Sequence, residues 1–246
     1  MKTHLKVCWI SAGISSFMAG YLAGDVDKWI YIDIQDQHPD SLRFIKDCEK
    51  AIGKKIEILK SEEYDSVEDC VKAAGVLKMP SGFAPCTNWL KKRVRKKWEN
   101  AHSEYDVTYV WGFDCEEKNR ADRTVEANPW AKHQFPLIDR GLSKTDVHGL
   151  FEKKFDFKRP AMYEMGYPNN NCIGCIKGGM GYWNKIRKDF PSVFESRAKM
   201  EKVIGYSILK EKDGTPIFLE KLDKNRGNMN MEIFPECSIM CYINDE

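Results

Sequence analysis

The stretch Lys6-Val-Cys-Trp-Ile10-Ser-Ala-Gly-Ile-Ser-Ser16-Phe-Met-Ala-Gly-Tyr-Leu22 reads as a strand, a turn of small residues and a helix. Lys6 to Ile10 is a short apolar run that stops at a turn, the pattern of a buried parallel strand. Ser16 to Leu22 continues as a helix. The segment from Val7 to Gly24 carries no charge and follows Lys2 and Lys6, which is also the outline of a signal peptide or a membrane span. Ser11, Gly13, Ser15, Ser16, Gly20 and Gly24 interrupt it, and these small residues favour strand, turn and helix. No other long apolar segment follows, so a membrane partner is not expected.

Working outward, the same alternation repeats. Trp29 to Ile34, Ile56 to Leu59 and Val107 to Trp111 read as strands. Pro39 to Ile52 carries Leu42, Phe44, Ile45, Cys48 and Ile52 at helical spacing and is stopped by Gly53. Ser66 to Ala74 is a further helix, and Ser143 to Phe155 another, with Ser143 as its N-cap. Strands alternating with helices predict a doubly wound α/β fold with a mainly parallel sheet. From about Lys158 the character changes. Pro160, Pro168, Asn169 to Asn171 and Gly178-Gly179 mark irregular chain, interrupted by a helix from Trp183 to about Ile204 with Pro191 inside it. The expected organisation is an α/β domain over 1–157 and a cysteine-bearing extension over 158–246 packed on it.

The 246 residues hold 39 basic and 37 acidic side chains, a formal charge of +2. That balance gives no general reason for a nucleic-acid partner, which leaves only a local basic patch to argue for one. Nine cysteines, an odd number in a chain of this length, fit a reduced cytoplasmic protein better than a disulfide scaffold.

The Ser11–Ser16 turn lies where the carboxyl end of a strand meets the amino end of a helix. Ligands bind open α/β sheets at such points, and free N–H groups with a positive dipole end suit phosphate. A tight connection with no ligand has the same sequence, so the turn alone leaves both readings open. Asp33 follows the second strand and could accept hydrogen bonds from a ribose or a base. Asp40 reads better as the opening of the next helix. Lys91, Lys92, Arg93, Arg95, Lys96 and Lys97 form the densest basic run. Leu90, Val94 and Trp98, four apart within it, predict a buried stripe with solvated cations around it. Glu116, Glu117, Arg120 and Arg123 lie just past Gly112. Arg120 could clamp an anion bidentately, and surface ion pairing is the other reading.

The turn resembles the pyrophosphate-binding loop, Ser-Gly-Gly-x-Asp-Ser, of the adenine nucleotide α-hydrolase (PP-loop) superfamily. Asp33 to Phe44, Pro85 to Lys92, Gly112 to Arg123 and Phe135 to Asp139 look like its phosphoadenosine-phosphosulfate (PAPS) reductase-like branch, in that family's order. The resemblance covers roughly residues 5 to 200. It implies a sheet of adenine nucleotide α-hydrolase type and ATP or a related adenine nucleotide as ligand. Ser11, Gly13, Ser15, Ser16, Asp33 and Gly112 would hold that ligand, with Lys91 and Arg120 neutralising charge and Mg2+ expected beside ATP. The implied chemistry is ATP pyrophosphatase, adenylating or sulfur-transfer activity on an acceptor that the sequence does not name. Two departures stand out. Ala12 replaces a Gly and fits provided its backbone does not need positive φ. Ser15 replaces the Asp, a carboxylate that Asp36 or Glu116 could supply instead; its loss otherwise favours a nucleotide-binding protein with reduced catalysis.

Cys172-Ile-Gly-Cys175 and Cys237-Ser-Ile-Met-Cys241 are two pairs in one irregular region. Four thiolates so arranged would hold zinc or a 4Fe–4S cluster, and spacing does not separate the two. Glu236-Cys237 also resembles the nucleophilic tail of PAPS reductases, which would make Cys237 the thiol of a sulfonucleotide reductase. Cys8, Cys48 and Cys70 fall inside elements and are expected as packing residues; Cys86 and Cys115 stay open.

Overall fold

The computed structural model describes residues 2–80 and 82–232. The chain opens with strand β1 (Thr3–Ile10), helix α1 (Ile14–Ala23), β2 (Lys28–Ile32), α2 (Asp40–Ile52), β3 (Ile56–Leu59) and α3 (Val67–Ala74). Next comes one continuous helical segment in three parts: α4 (Pro85–Thr87), a π turn (Asn88–Lys92) and α5 (Arg93–Ala101). Then follow β4 (Tyr105–Val110), α6 (Lys118–Ala127), β5 (Lys132–Gln134), α7 (Lys144–Lys154) and α8 (Ala161–Glu164). The extension continues with α9 (Met180–Asp189), α10 (Pro191–Ile204) and the two-residue strands β6 (Leu209–Lys210) and β7 (Pro216–Ile217).

The sheet order is β3-β2-β1-β4-β5, and all four pairings are parallel. Alternate residues of the central strand enter different cores, as the period of two requires. Cys8 and Ile10 pack with Ile14, Phe17, Phe44 and Phe151 from α1, α2 and α7. Val7 and Trp9 pack on the other face with Cys70, Leu90, Val94 and Trp98. Helices therefore cover both faces, an arrangement compatible with double winding. β1 leads to β2 on one side, and β4 lies on its other side, so the order reverses at β1, and a crevice opens there between the strand ends.

The apolar run that resembled a signal or a span is the centre of this fold: Val7, Ile14, Phe17 and Ala19 are completely buried. Among the described residues no helix is long and apolar enough to cross a membrane. The expected Trp183–Ile204 helix is two helices, because Pro191 lacks an N–H and takes the first position of a new one. β5 lies on the sheet edge, and its Lys132-His133-Gln134 carries no apolar signal.

The extension has its own core around Tyr182, Trp183, Ile186 and Leu219, and polar contacts join it to the sheet domain. Asp40 pairs with Arg43 at 2.6 Å and accepts from the Ala161 N–H at 2.8 Å, while Arg43 donates to the Lys158 and Arg159 carbonyls. The hydrogen bond from Arg43, opposed by partial burial, holds the Asp40 carboxyl below its ordinary value. A lowered carboxyl pKa adds stability that is complete above the ordinary value and disappears as pH falls through the folded one. The expected result is that Asp40→Asn lowers the urea midpoint at neutral pH and that its gap to wild type closes in acid. Parallel midpoints at every pH would remove this role.

Candidate functional site

A cavity of about 190 Å3 opens at the carboxyl ends of β1, β2 and β4. Its floor is the 11–16 turn. Ser16 closes that turn: its Oγ donates to the Gly13 carbonyl at 3.0 Å and accepts from the Ser11 N–H at 3.0 Å. The hydroxyls of Ser11 and Ser16 lie 3.1 Å apart. Ser16 thus shapes the turn with its hydroxyl, and Ser11, Gly13, Ser15 and Ser16 all line the cavity beside the amino end of α1.

Ala12 does not meet the condition set for it. Its φ is +54° and its side chain is completely buried, so an L residue sits in the left-handed region at a cost of about 1 kcal/mol. Its carbonyl accepts from Asn170 Nδ2 at 2.8 Å. The Tyr163 hydroxyl meets the backbone N–H groups of Ile14 and Asn170. The extension therefore holds the turn in shape from outside.

Gly112, two residues past the end of β4, lies against the turn. A Cβ there would stand 2.5 Å from Ser16 Cα and 2.6 Å from Ser16 N. Beyond Gly112, Asp114 caps a short 3-10 turn over Cys115–Glu117, a reciprocal arrangement in which Glu117 accepts from the Asp114 N–H. Arg120 pairs with Glu117 at 2.6 Å and lies 4.2 Å over the Phe113 ring. This is an ion pair, as one reading of the sequence had it, but it stands on the cavity wall. Arg123 bonds instead to the Asn119 carbonyl. Burial, reinforced by Glu117, pushes the Asp114 carboxyl up, and burial pulls the Lys144 ammonium down. Both face the cavity, and Lys144 donates to Asn169 Oδ1 at 2.6 Å.

Lys91 lines the cavity from the π turn. Such a turn holds one more residue than an α turn and changes which side chains face inward. The Leu90, Val94 and Trp98 stripe is buried as the spacing predicts. The solvated cations around it are not all solvated. Lys92 is completely buried with its Nζ 3.1 Å above the Phe83 ring, and Arg95 is buried beside Glu99.

The cavity thus brings together Ser11, Gly13, Ser15, Ser16, Lys91, Gly112, Arg120 and Cys172. Asp33 does not line it; its carboxylate pairs with Lys60 at 2.9 Å. Asp36 does not supply the missing carboxylate. It is bound to Arg197 and accepts from the Val67 N–H at 2.6 Å. Glu116 is not on the wall either, and the carboxylates that are belong to Asp114 and Glu117. Sequence reasoning also missed Gln37, Tyr163 and Asn169 to Asn171. The Asn run was visible only as loop composition, because contact with a turn 158 residues away leaves no local signal.

Cys8, Cys48 and Cys70 are buried, as expected, and burial pushes the Cys8 and Cys70 thiols up to about 12. Cys86, Cys172 and Cys175 line a second cavity of about 20 Å3, room for about one water. It shares Lys91, Asn171 and Cys172 with the first. Cys237 and Cys241 lie outside the described residues, and so does that half of the four-cysteine expectation. Among the described residues no three His, Cys, Asp or Glu side chains are arranged to hold a metal.

No family model matches the chain. Over 179 residues it is 27% identical to an uncharacterized protein of Methanocaldococcus jannaschii. The match takes in 71% of this chain and 35% of that protein, so the chain spans well under half the length of the curated relative it matches.

Proposed function

We propose that the chain is a PAPS reductase-like PP-loop protein that binds ATP or a related adenine nucleotide with its phosphates on the 11–16 turn. The supporting observation is convergence. Residues from positions 11, 91, 112 and 120, remote in sequence, face one crevice at the point where the strand order reverses. Backbone N–H groups at the start of α1 suit a phosphate, and Lys91, Arg120 and Lys144 supply positive charge around it. Arg120 stacked on Phe113 is the more directional of the three. Magnesium takes one or two carboxylates and otherwise phosphate and water oxygens, and Asp114 and Glu117 are the carboxylates available on this wall. The reaction class that fits is adenylation of an acceptor or transfer of sulfur to it, with Ser15 rather than a carboxylate beside the phosphates.

Gly13 provides the test. Its φ of −107° is open to any residue, and a Cβ there meets nothing nearer than Ser11 Oγ at 3.3 Å. Gly13→Asp should therefore fold and place an anion where phosphate belongs. Calorimetry is expected to show ATP or AMP binding to wild type and at least a tenfold loss, about 1.4 kcal/mol, in the variant. Equal affinities would remove the assignment. With magnesium, pyrophosphate release is expected to be slow until an acceptor is supplied from a cell extract; fast release without one would contradict the adenylation reading.

A further inference from the structure

Opposite charges face the cavity without meeting at Asp114 and Lys144. Asp114 follows β4, and Lys144 is the first residue of α7. The Cys115 N–H donates to the Leu142 carbonyl at 2.9 Å, which ties these segments together. Each charge acts on the other through space, yet among the described residues no hydrogen bond or ion pair joins them. Asp114 is only 6% exposed, and burial works against its charge as it does against that of Lys144.

Neutral partners hold them apart. Asp114 Oδ1 caps the 3-10 turn by accepting from the Glu116 N–H at 3.0 Å. A carboxylate has room for about four hydrogen bonds, so acceptor capacity remains. Lys144 gives one ammonium proton to Asn169 Oδ1 at 2.6 Å and has others to offer. That bond also sets the Asn169 amide. An ammonium only donates, so the atom it meets is the oxygen, and the Nδ2 hydrogens face elsewhere. Asn169 lines the same cavity. The wall thus offers a charged acceptor from Asp114, and donors from Lys144 and Asn169. Glu117, by contrast, is already matched by Arg120 at 2.6 Å. A lone anion entering here would neutralise Lys144 and repel Asp114; a lone cation would do the reverse. A ligand carrying both charges satisfies both and leaves no desolvated charge uncompensated.

We propose that Asp114, Lys144 and Asn169 form a subsite for a zwitterion of the α-amino acid class, its ammonium on Asp114 and its carboxylate on Lys144 and the Asn169 amide. Its part as the acceptor's site rests on the nucleotide reading above; the subsite itself does not. With Asp114 so engaged, Glu117 is the carboxylate left on this wall for magnesium.

The test is a thermal-shift screen of the full chain with each of the common α-amino acids, with and without AMP. Calorimetry follows on the amino acid that gives the largest shift. Its N-acetyl derivative lacks the ammonium, and its methyl ester lacks the carboxylate. Each derivative is expected to bind wild type about tenfold more weakly than the parent, the scale of a charged hydrogen bond lost. Asp114→Asn keeps the cap, because an amide oxygen also accepts from a backbone N–H, and Lys144→Met keeps the stem. Asp114→Asn should no longer distinguish the parent from the N-acetyl derivative, and Lys144→Met should no longer distinguish it from the ester. Circular dichroism establishes that each variant is folded; should one fail to fold, the derivatives on wild type decide. No shift with any amino acid, with or without AMP, overturns the assignment, and AMP binding then leaves the nucleotide reading standing. A derivative bound as tightly as the parent, or discrimination intact in the folded variants, overturns it too. Amino-acid binding with this pattern, but without binding of AMP or ATP, upholds the subsite and removes both the proposed function and the acceptor role.

Discussion

Replacing Gly112 by alanine is expected to cost about 3 kcal/mol of stability, the upper end for forcing one extra carbon into a packed site, and to abolish nucleotide binding. The new Cβ would lie 2.5 Å from Ser16 Cα, 2.6 Å from Ser16 N and 2.8 Å from Ser15 C. All three are backbone atoms at the start of α1, so no flexible side chain can move aside. Relief requires β4 and α1 to separate, which displaces the Ser15 and Ser16 amides from the crevice. Urea unfolding followed by circular dichroism gives the stability, and ATP titration gives the binding. A variant with wild-type midpoint and affinity would show that this close approach does not shape the site.

Arg197→Met carries the second large effect. Arg197 is buried in α10, where it pairs with Asp36 and, at 3.0 Å, with Glu68. It also reaches the Gly174 carbonyl at 3.4 Å, inside the Cys172–Cys175 turn. Methionine keeps the apolar stem and removes the charge, which leaves two carboxylates facing each other with less compensation. Loss of one partner from a buried pair costs about 3 kcal/mol or more. Glu68 retains Lys72 at 2.6 Å and Asp36 retains the Val67 N–H, so the lower figure is expected. Faster hydrogen exchange should appear at Ile173, whose N–H donates to the Asp36 carbonyl at 2.7 Å. Adding Asp36→Asn and Glu68→Gln should recover part of the stability, because the uncompensated charge goes with them. A single variant as stable as wild type would show that the ion cluster is not what joins α10 to α3 and the loop after β2.

The site was legible in part, and the boundary has a physical cause. Ser11, Gly13 and Ser15 sit on a turn between adjacent elements, so a few consecutive residues announce it. Lys91, Gly112 and Arg120 were named through their order along the chain in the family resemblance, and they face the same cavity. Asp33 follows a strand end in the same way, yet its carboxylate turns to Lys60. Asp36 failed as a pocket carboxylate because its partner, Arg197, is 161 residues away. The left-handed conformation of Ala12 was not legible, because it depends on support from Asn170 and close burial.

What the sequence determined by itself was local. Apolar alternation set the strands, helical spacing set the helices, and Ser143 marked a cap through its own side chain. Gly53, in the left-handed conformation, stopped α2 where expected. These signals act over a few residues and survive being read one window at a time. The tertiary structure decided which polar groups face the crevice and which are spent on one another. Asp114, Glu117, Lys144, Asn170 and Gln37 acquire their roles only when strand ends, a 3-10 turn and the extension meet in one low-dielectric space. There buried donors and acceptors favour pairing, and several of those pairs, such as Asn170 with Ala12, join residues far apart in the chain.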